Sequence, residues 1–381
     1  MKEIVLNGKA IITGSGSLSY LKNIEFTRAF IVTGGQSMSN SGVIDRIIKY
    51  LAKDDKEITI YSGIKKNPNY KEVLDGLKVM REKSPDLVIA VGGGSAMDAA
   101  KAMLLFYEFP QLNFENILTS EIPKERKKAR LICIPSTSGT GSEMTPVAVI
   151  TNVEEGIKVP IKAPCLRPDF AILEAEITMT MSAQIAAETG MDALTHAIEA
   201  YTNHNLDDFN EAICGSAIKG IMKWLPISCE EATLESRDKM HNYQCMAGIG
   251  FANVGLGMVH GIAHSYGAIY DLPHGVANAI ILPFTLDYNK RDQLVARKLK
   301  DISYYCESKD IVEDIKKLKK KIGIPHSFKE LGISEEDFNS DFKLILNHSM
   351  LGATKVNPVL MTLESMEKMI KTVYYGTSID F

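Results

Sequence analysis

Closely spaced cysteines are missing from this sequence. The six that it contains are scattered, and none belongs to a Cys-x-x-Cys pair: Cys133, Cys165, Cys214, Cys229, Cys245 and Cys306. Disulfide scaffolds and thiolate zinc sites both need tighter spacing. We therefore expect six reduced, structural thiols in a cytoplasmic protein.

Long apolar runs and an excess of basic charge are missing too. No apolar run approaches the roughly 20 residues that a membrane-spanning helix needs, and the first residues lack the apolar core of a signal peptide. With 43 Lys and Arg against 47 Asp and Glu, the net charge is −4, so no global positive field attracts nucleic acid or an anionic membrane. The Lys-rich stretches 124–130 and 316–321 are interpreted as solvated faces. We expect neither nucleic acid nor membrane as a partner.

The first half of the chain alternates strand and helix patterns. Apolar, β-branched runs predict strands at 30–33, 58–61, 87–91, 131–135, 148–151 and 170–173. Amphipathic helix patterns lie between several of them, which is typical of a doubly wound, mostly parallel α/β sheet. From about residue 182, long helix-period segments follow with few strand signals. We predict an α/β domain over 1–180 and an all-helical domain over 181–381.

Two glycine-rich turns in the first domain have the features of a phosphate site. The strand at 87–91 runs into Gly92-Gly93-Gly94-Ser95 at the start of a helix, which turns free N–H groups and the positive helix end toward an anion. This motif is neither G-x-G-x-x-G nor a P-loop, and a simple tight turn is the alternative. The loop 135–143 holds five hydroxyl residues and two glycines; a capped turn is its alternative. Two such loops after neighbouring strands favour a dinucleotide.

A third turn bears on the choice of dinucleotide. Gly34, Gly35 and Ser37 follow the strand at 30–33, where an acidic residue would hydrogen-bond the adenosine ribose of NAD. No carboxylate stands there to repel a 2′-phosphate. The sequence favours NADP over NAD, and a loop that accepts both is the alternative.

The helical half contains a carboxylate and four histidines at suggestive spacings. Asp192 and His196 are four residues apart and share a helix face; His260 and His264 repeat this spacing, and His274 follows fourteen residues after His260. One carboxylate and three imidazoles suit iron(II) or zinc better than calcium or magnesium. A lone histidine on an apolar helix is more often a core residue, but this grouping favours a metal site. The other histidines are interpreted as surface or structural residues: His204, His241, His326 and His348.

Together these motifs resemble the iron-containing, or group III, alcohol dehydrogenases, in particular NADP-type members that act on butanol or reduce aldehydes. The matching stretches keep the family's order and spacing over nearly the whole chain: 92–101, 135–143, 188–201, 259–264 and 272–275. The resemblance implies a dehydroquinate synthase-like architecture. Its N-terminal α/β domain binds the dinucleotide, and its C-terminal helical domain holds metal and substrate. It also implies a homodimer.

The resemblance also assigns roles to single residues. It implies four metal ligands: Asp192, His196, His260 and His274. It places His264 near the nicotinamide, where it is our candidate for proton transfer. It implies a cofactor site made of turn residues and nearby polar side chains: Gly35, Ser37, Gly92, Gly93, Gly94, Ser95, Asp98, Thr137, Ser138 and Lys158.

Two positions depart from the family pattern. Gly34 stands where members that use NAD often carry Asp, and Leu173-Glu174-Ala175 replaces a common Leu-Asp-Pro. The first departure supports NADP, with NAD as the alternative. The second affects the local turn and leaves the implied ligands untouched.

The implied reaction is hydride transfer between NADP(H) and a small alcohol or aldehyde, with iron(II) or zinc polarising the substrate oxygen. Phe251, Val254 and Met258 are the expected lining of the substrate pocket. Related dehydrogenases of 4-hydroxybutyrate, lactaldehyde or 1,2-propanediol, and glycerol are alternatives. A dehydroquinate synthase-like lyase fits less well, because the residues around the histidines are apolar and glycine-rich rather than basic. A non-catalytic protein that binds nucleotide and metal is the remaining alternative.

Overall fold

The computed structural model of the chain describes residues 3–53, 55–154 and 157–381. It divides into two units, Met1–Thr180 and Met181–Phe381. The first is an α/β unit and the second is built from helices. The fold class expected from the sequence is therefore confirmed.

The α/β unit contains eight strands among the described residues: β1 (Ala10–Thr13), β2 (Arg28–Thr33), β3 (Glu57–Tyr61), β4 (Leu87–Gly92), β5 (Arg130–Pro135), β6 (Val147–Asn152), β7 (Ile157–Lys162) and β8 (Phe170–Leu173). Six of them form one sheet in the order β1-β8-β5-β4-β2-β3, and every pair is parallel. The central strands β4 and β5 are apolar almost throughout and buried on both faces, as strands covered by helices on each side must be.

The carboxyl ends of β2 and β4 form the point where the strand order reverses. From β2 the chain runs outward to β3 and then returns to β4 on the other side of β2. Open α/β sheets bind ligands in the crevice at such a point. The turns at Gly34–Gly35 and Gly92–Gly94 lie there, one at the end of each strand.

Five helices accompany the sheet: α1 (Ser37–Asn40), α2 (Val43–Leu51), α3 (Tyr70–Lys83), α4 (Gly94–Glu108) and α5 (Ala175–Thr178). Sequence signals explain their limits. Asn69 and Glu72 form a reciprocal capping box at the start of α3, which satisfies two otherwise free N–H groups. Helix α4 is mostly apolar and is buried from Ala96 to Glu108, except for a half-buried Asp98, because it packs against both β4 and β6.

The helical unit has ten helices among the described residues: α6 (Ala183–Thr202), α7 (Asp208–Glu230), α8 (Leu234–Val254), α9 (Met258–Tyr270), α10 (His274–Asn289), α11 (Gln293–Tyr305), α12 (Ile311–Lys321), α13 (Phe328–Leu331), α14 (Glu335–Ser349) and α15 (Leu363–Tyr375). Helices α6, α7 and α8 pack together, and α10 packs on both α6 and α9. One apolar core runs through the unit.

Helices α9 and α10 begin differently from their neighbours. The other eight described helices of the unit each start at a Ser, Thr or Asp whose side chain accepts a backbone N–H, the usual N-cap. Gly257 precedes α9 and Pro273 precedes α10, and neither makes such a bond. These two helices carry His260, His264 and His274.

The structure corrects several expectations. The strand predicted at 148–151 is outside the main sheet; it is part of β6, which pairs with β7 in an antiparallel hairpin. Lys319 belongs to the stretch interpreted as solvated, but it is buried. Its side chain extends from α12 to α10, where Nζ lies 3.3 Å from the carbonyl oxygen of Ile280. Arg126 is also half-buried and pairs with Asp169.

Two further features bear on the sequence expectations. All six cysteines are free thiols. Among the described residues, no single helix has both the length and the hydropathy for crossing a bilayer; α8 and α9 reach both only as a pair, bent by 105°.

The unusual turn after β8 has a structural explanation. Glu174, which stands where the family commonly has Asp, is fully buried. Its carboxylate accepts N–H groups from Gly16 and Leu18 at 3.2 and 3.0 Å. The longer side chain therefore ties the end of the sheet to the segment after β1.

Candidate functional site

Three helices bring the predicted metal ligands together in the helical unit. Oδ1 of Asp192 lies 3.8 Å from Nε2 of His196, one turn later on α6. The same oxygen lies 3.9 Å from Nε2 of His260 on α9 and 3.7 Å from Nε2 of His274 on α10. The tightest group, with ligand atoms all within 4.8 Å of one another, consists of Asp192, His260 and His274. His196 joins this group through Asp192.

The spacing fits a transition-metal ion. Nitrogen and oxygen ligands about 2.0–2.2 Å from a tetrahedral ion lie roughly 3.3–3.6 Å apart, a few tenths of an ångström less than the distances around Asp192. The donors are one carboxylate and three imidazoles, which favour iron or zinc over calcium or magnesium. The donor set therefore fits such an ion, with Asp192, His260 and His274 as its tightest group.

His260 is held in the form that a metal ligand needs. Its Nδ1 lies 2.6 Å from Oε2 of Glu199, so the Nδ1–H points at the carboxylate and the Nε2 lone pair faces the cluster. Burial, followed by the nearby His196, His274 and His264, lowers the pKa of His260 well below its ordinary value. The imidazole is therefore neutral near pH 7.

Glu199 was not identified from the sequence, although it lies one turn after His196 on α6. It is buried, which raises the pKa of this carboxyl, while hydrogen bonds from backbone N–H groups at the start of α9 oppose the rise and favour the carboxylate that accepts the Nδ1–H of His260. Its Oε1 accepts the N–H of Val259 at 2.8 Å. The only sequence signal was its position on the same helix as Asp192 and His196.

A second buried side chain also holds the start of α9. Oδ1 of Asn357 accepts the N–H of Met258 at 3.3 Å, and the two amides of Asn357 and Asn289 bond each other at 2.9 and 3.1 Å. Glu199 and Asn357 thus replace the missing N-cap of α9. Gly257 is required here because an added Cβ would lie 2.8 Å from Oε1 of Glu199.

A close approach between helices brings His274 to the cluster. Gly275, at the start of α10, packs so tightly on α6 that an added Cβ would lie 1.9 Å from the Glu188 carbonyl oxygen. Any larger residue would push α10 away from Asp192. The Pro-His-Gly sequence at 273–275 therefore combines a helix start, a ligand and a contact that only glycine allows.

His264 is exposed at the edge of the cluster. Its ring stacks on that of His274 with centroids 5.0 Å apart and lies 6.0 Å from His260. It is one turn beyond His260 on α9, as the sequence spacing predicts. This position keeps His264 next to the ligand cluster and in contact with solvent.

Of the three residues expected to line the substrate pocket, Phe251 contacts a predicted metal ligand. Its ring stacks on His196, with centroids 4.3 Å apart. Val254 and Met258 are instead buried in the apolar core of the unit, because they lie at the bend between α8 and α9. That these two residues line the substrate pocket stays a prediction.

In the α/β unit, the turns after β4 and β5 lie side by side. Gly92 has φ of +146°, a conformation that favours glycine. A Cβ added to Gly93 would lie 3.7 Å from the side chain of Thr137, and a Cβ added to Gly94 would lie 3.0 Å from the side chain of Thr140. Ser95 is partly exposed at the start of α4, whereas Ser138 is buried. The glycines therefore leave room beside the N-terminus of α4 for the loop 135–143, which we call the hydroxyl loop.

Asp98 and the buried Lys101 hold the hydroxyl loop in place. Asp98 accepts hydrogen bonds from the Ser142 hydroxyl at 2.7 Å and the Val149 N–H at 3.0 Å. Nζ of Lys101 donates to the carbonyl oxygens of Ser142, Thr145 and Val147 at 2.6–3.0 Å. The sequence motif included Lys101, but its anchoring role was not predicted.

The other predicted cofactor residues lie around the same edge. Gly35 and Ser37 follow β2 and are exposed. Apart from the two residues adjacent to Gly35 in the chain, no described atom lies within 4 Å of a Cβ added to it. Lys158 is half-buried on β7, whose partner strand β6 is bonded to Asp98. The sheet thus brings the three predicted turns to one edge.

Two family models match the chain. The model for iron-containing alcohol dehydrogenases matches residues 8–175, and the model for the C-terminal region of the Fe-containing alcohol dehydrogenase family matches residues 186–374. Together they cover both units.

Individual relatives agree with this match. The chain is 40% identical over 380 residues to an NADPH-dependent butanol dehydrogenase of Clostridium saccharobutylicum, covering 97% of this chain and 98% of the relative. It is 34% identical over 393 residues to an aldehyde-alcohol dehydrogenase of Streptococcus pneumoniae, covering 94% of this chain but only 44% of that longer protein. A solved iron-containing alcohol dehydrogenase from Thermococcus thioreducens superposes with a TM-score of 0.91 at 32% identity, covering 99% of this chain and 100% of the other.

Proposed function

This chain belongs to the iron-containing alcohol dehydrogenase family, and we propose that it transfers hydride between NADP(H) and a small primary alcohol or its aldehyde. The observation that carries the proposal is the convergence of Asp192, His260 and His274 from three helices. The similarity to an NADPH-dependent butanol dehydrogenase supports the choice of cofactor and substrate size.

We propose that Asp192, His196, His260 and His274 hold iron(II), with zinc as the alternative. When bound, the ion acts as a Lewis acid on the substrate oxygen. The protein's part is to hold three imidazoles and one carboxylate close together. Glu199 fixes the orientation of the His260 ring by accepting its Nδ1–H.

For the cofactor, we propose that the turn at 92–95 binds the pyrophosphate. The N-terminus of α4 supplies free N–H groups, and the positive end of its dipole favours an anion. Gly35 and Ser37 would accept the adenosine ribose with its 2′-phosphate, since Gly34 leaves this turn without the carboxylate that favours NAD. Asp98, Thr137, Ser138 and Lys158 complete the proposed set.

We assign proton transfer to a ring nitrogen of His264. The exposed imidazole exchanges protons with water, and its stacking on His274 keeps it beside the ligands. An imidazole titrates in the range that a proton relay near neutral pH needs. Aldehyde reduction is the proposed cellular direction, because the NADP pool is usually kept reduced.

Reconstitution tests the proposal. Metal-stripped protein loaded with iron(II) or zinc should oxidise NADPH with a panel of short aldehydes, and faster than it oxidises NADH. His260→Ala should abolish turnover. His204→Ala, in which an exposed histidine paired with Asp292 is removed, should leave turnover unchanged. NADPH binding without aldehyde turnover would contradict the proposal and favour a lyase or a non-catalytic binding protein.

A homodimer in the cytoplasm remains our expectation. Sedimentation equilibrium of the loaded protein measures its mass directly. A mass near twice 42.0 kDa is the expected result, and a mass near 42.0 kDa would contradict it.

A further inference from the structure

Asn278 lies against the ligand cluster. It follows His274 by one turn on α10, so both side chains lie on the same helix face. The residue is fully buried. An asparagine amide in such a place needs polar partners, because burying it without any costs roughly 1–3 kcal/mol.

The Asn278 amide meets a ligand from each of three helices. Its Nδ2 donates to Oδ1 of Asp192 at 2.7 Å. The same nitrogen lies 3.1 Å from Nε2 of His260 and 3.1 Å from Nε2 of His274. These helices are α6, α9 and α10, so one side chain contacts all of the elements that supply ligands.

The contact with Asp192 is the strongest of the three. It is the shortest, and the acceptor is a carboxylate, which makes the hydrogen bond roughly twice as strong as one between neutral groups. Among the described residues, no other group donates a hydrogen bond to the Asp192 carboxylate within 3.5 Å. The Nε2 atoms of its three imidazole neighbours lie 3.7–3.9 Å from its Oδ1. Without Asn278, little would fix the rotation of this carboxylate.

We propose that Asn278 is a positioning residue for the metal centre, which orients Oδ1 of Asp192 toward the imidazoles and keeps α10 in register with α6 and α9. This inference rests on the metal site of the proposed function. Residues that hold metal ligands in this way typically contribute 10–100-fold to metal affinity.

Metal binding itself tests the inference. Wild-type protein and Asn278→Ala are stripped of metal and titrated with cobalt(II) or zinc in competition with a chelator. We expect Asn278→Ala to bind each ion 10–100-fold more weakly. The visible absorption of the cobalt(II) form should also change, because its d–d bands report coordination geometry, which a loss of packing elsewhere would not alter.

Asn210→Ala is the matched control. Asn210 is equally buried in the helical unit, but its amide donates only to Asp207 at the start of α7. This variant should lose stability and keep both the wild-type affinity and the wild-type cobalt spectrum. If Asn278→Ala does not fold, Asn278→Ser keeps a short donor and should show an intermediate loss of affinity.

Each outcome has one meaning. If wild-type protein binds no transition metal, the proposed metal site itself fails. If wild-type protein binds and Asn278→Ala has an affinity within twofold of it and the same cobalt spectrum, Asn278 is not a positioning residue, and the proposed function stands.

Discussion

At the scale of single residues, Lys319 shows how burial changes the chemistry of an ordinary side chain. Lys319 is 3% exposed, and its Nζ donates a hydrogen bond to the carbonyl oxygen of Ile280 at 3.3 Å. Burial lowers the pKa of this amine from 10.5 to about 7, with Glu330 opposing the change. The folded protein therefore holds this proton less tightly than the unfolded chain does.

This difference predicts a pH dependence of stability. Between about pH 7 and pH 10.5 the unfolded chain carries more protons on Lys319, so raising the pH within this window stabilises the fold by up to about 1.4 kcal/mol per unit. Below pH 7 both states are protonated and the full penalty of burial remains. The free energy of unfolding of wild type, relative to Lys319→Met, should therefore rise between pH 7 and pH 9.

Urea unfolding at pH 7, 8 and 9 measures this difference. Lys320→Met is the control, because Lys320 is next to Lys319 in the sequence but is exposed. The stability of this variant should follow that of the wild type at each pH. A difference between wild type and Lys319→Met that does not change with pH would contradict the lowered pKa.

At the scale of elements, the loop after β5 is held by a side chain from α4. Lys101 is fully buried, and its amine has three carbonyl oxygens and the hydroxyls of Ser142 and Thr145 within 3.2 Å as acceptors for its three N–H groups. A buried acceptor that loses its donor costs about 1–3 kcal/mol. The amine thus fixes the conformation of the loop beside the proposed pyrophosphate site.

We predict that Lys101→Met loosens this loop. Several acceptors would lose their donor, so the free energy of unfolding should fall by about 3 kcal/mol or more. NADPH affinity should fall at least about tenfold, since ordering the loop would then oppose binding. Urea unfolding and NADPH fluorescence titration measure the two effects, with the exposed Lys71→Met as control. Unchanged NADPH affinity in a folded Lys101→Met protein would show that the loop does not depend on this anchor.

At the scale of the whole molecule, the proposed metal links α6 to α9 and α10, which follow it much later in the sequence. Asp192 and His274 are separated by 82 positions, although α6 and α10 pack on each other. An ion that binds only the folded form stabilises it by mass action, by about 2.7 kcal/mol when its concentration is 100 times Kd.

Metal addition should therefore raise the thermal unfolding midpoint of metal-stripped protein by roughly 5–10 °C. Zinc or iron(II) should give this rise and magnesium should not, because imidazole ligands suit the transition metals. Scanning calorimetry measures the shift. His260→Ala should remove it, and a rise that persists in this variant would place the ion at another site.

The sequence predicts the α/β unit well because its strands are continuous apolar runs and its helices have clear periods. It places the strand at 148–151 in the wrong sheet, because strand pairing depends on where the chain turns after it. The short strands β1 and β7 were missed, since β1 has only four residues and β7 contains Pro160. Helix start signals were strong in the helical unit and absent at α9 and α10, where distant side chains replace them.

By itself, the sequence determined the two-part fold class, the family, the glycine turns and the helical spacing of Asp192, His196, His260 and His264, because these depend on neighbours within a few residues. Only the tertiary structure decided which side chains surround them. Glu199, Asn278, Asn357, Lys101 and the burial of Lys319 all rest on partners about 40 to 100 residues away. Such contacts form when whole helices and strands pack, and no local pattern of residues encodes them.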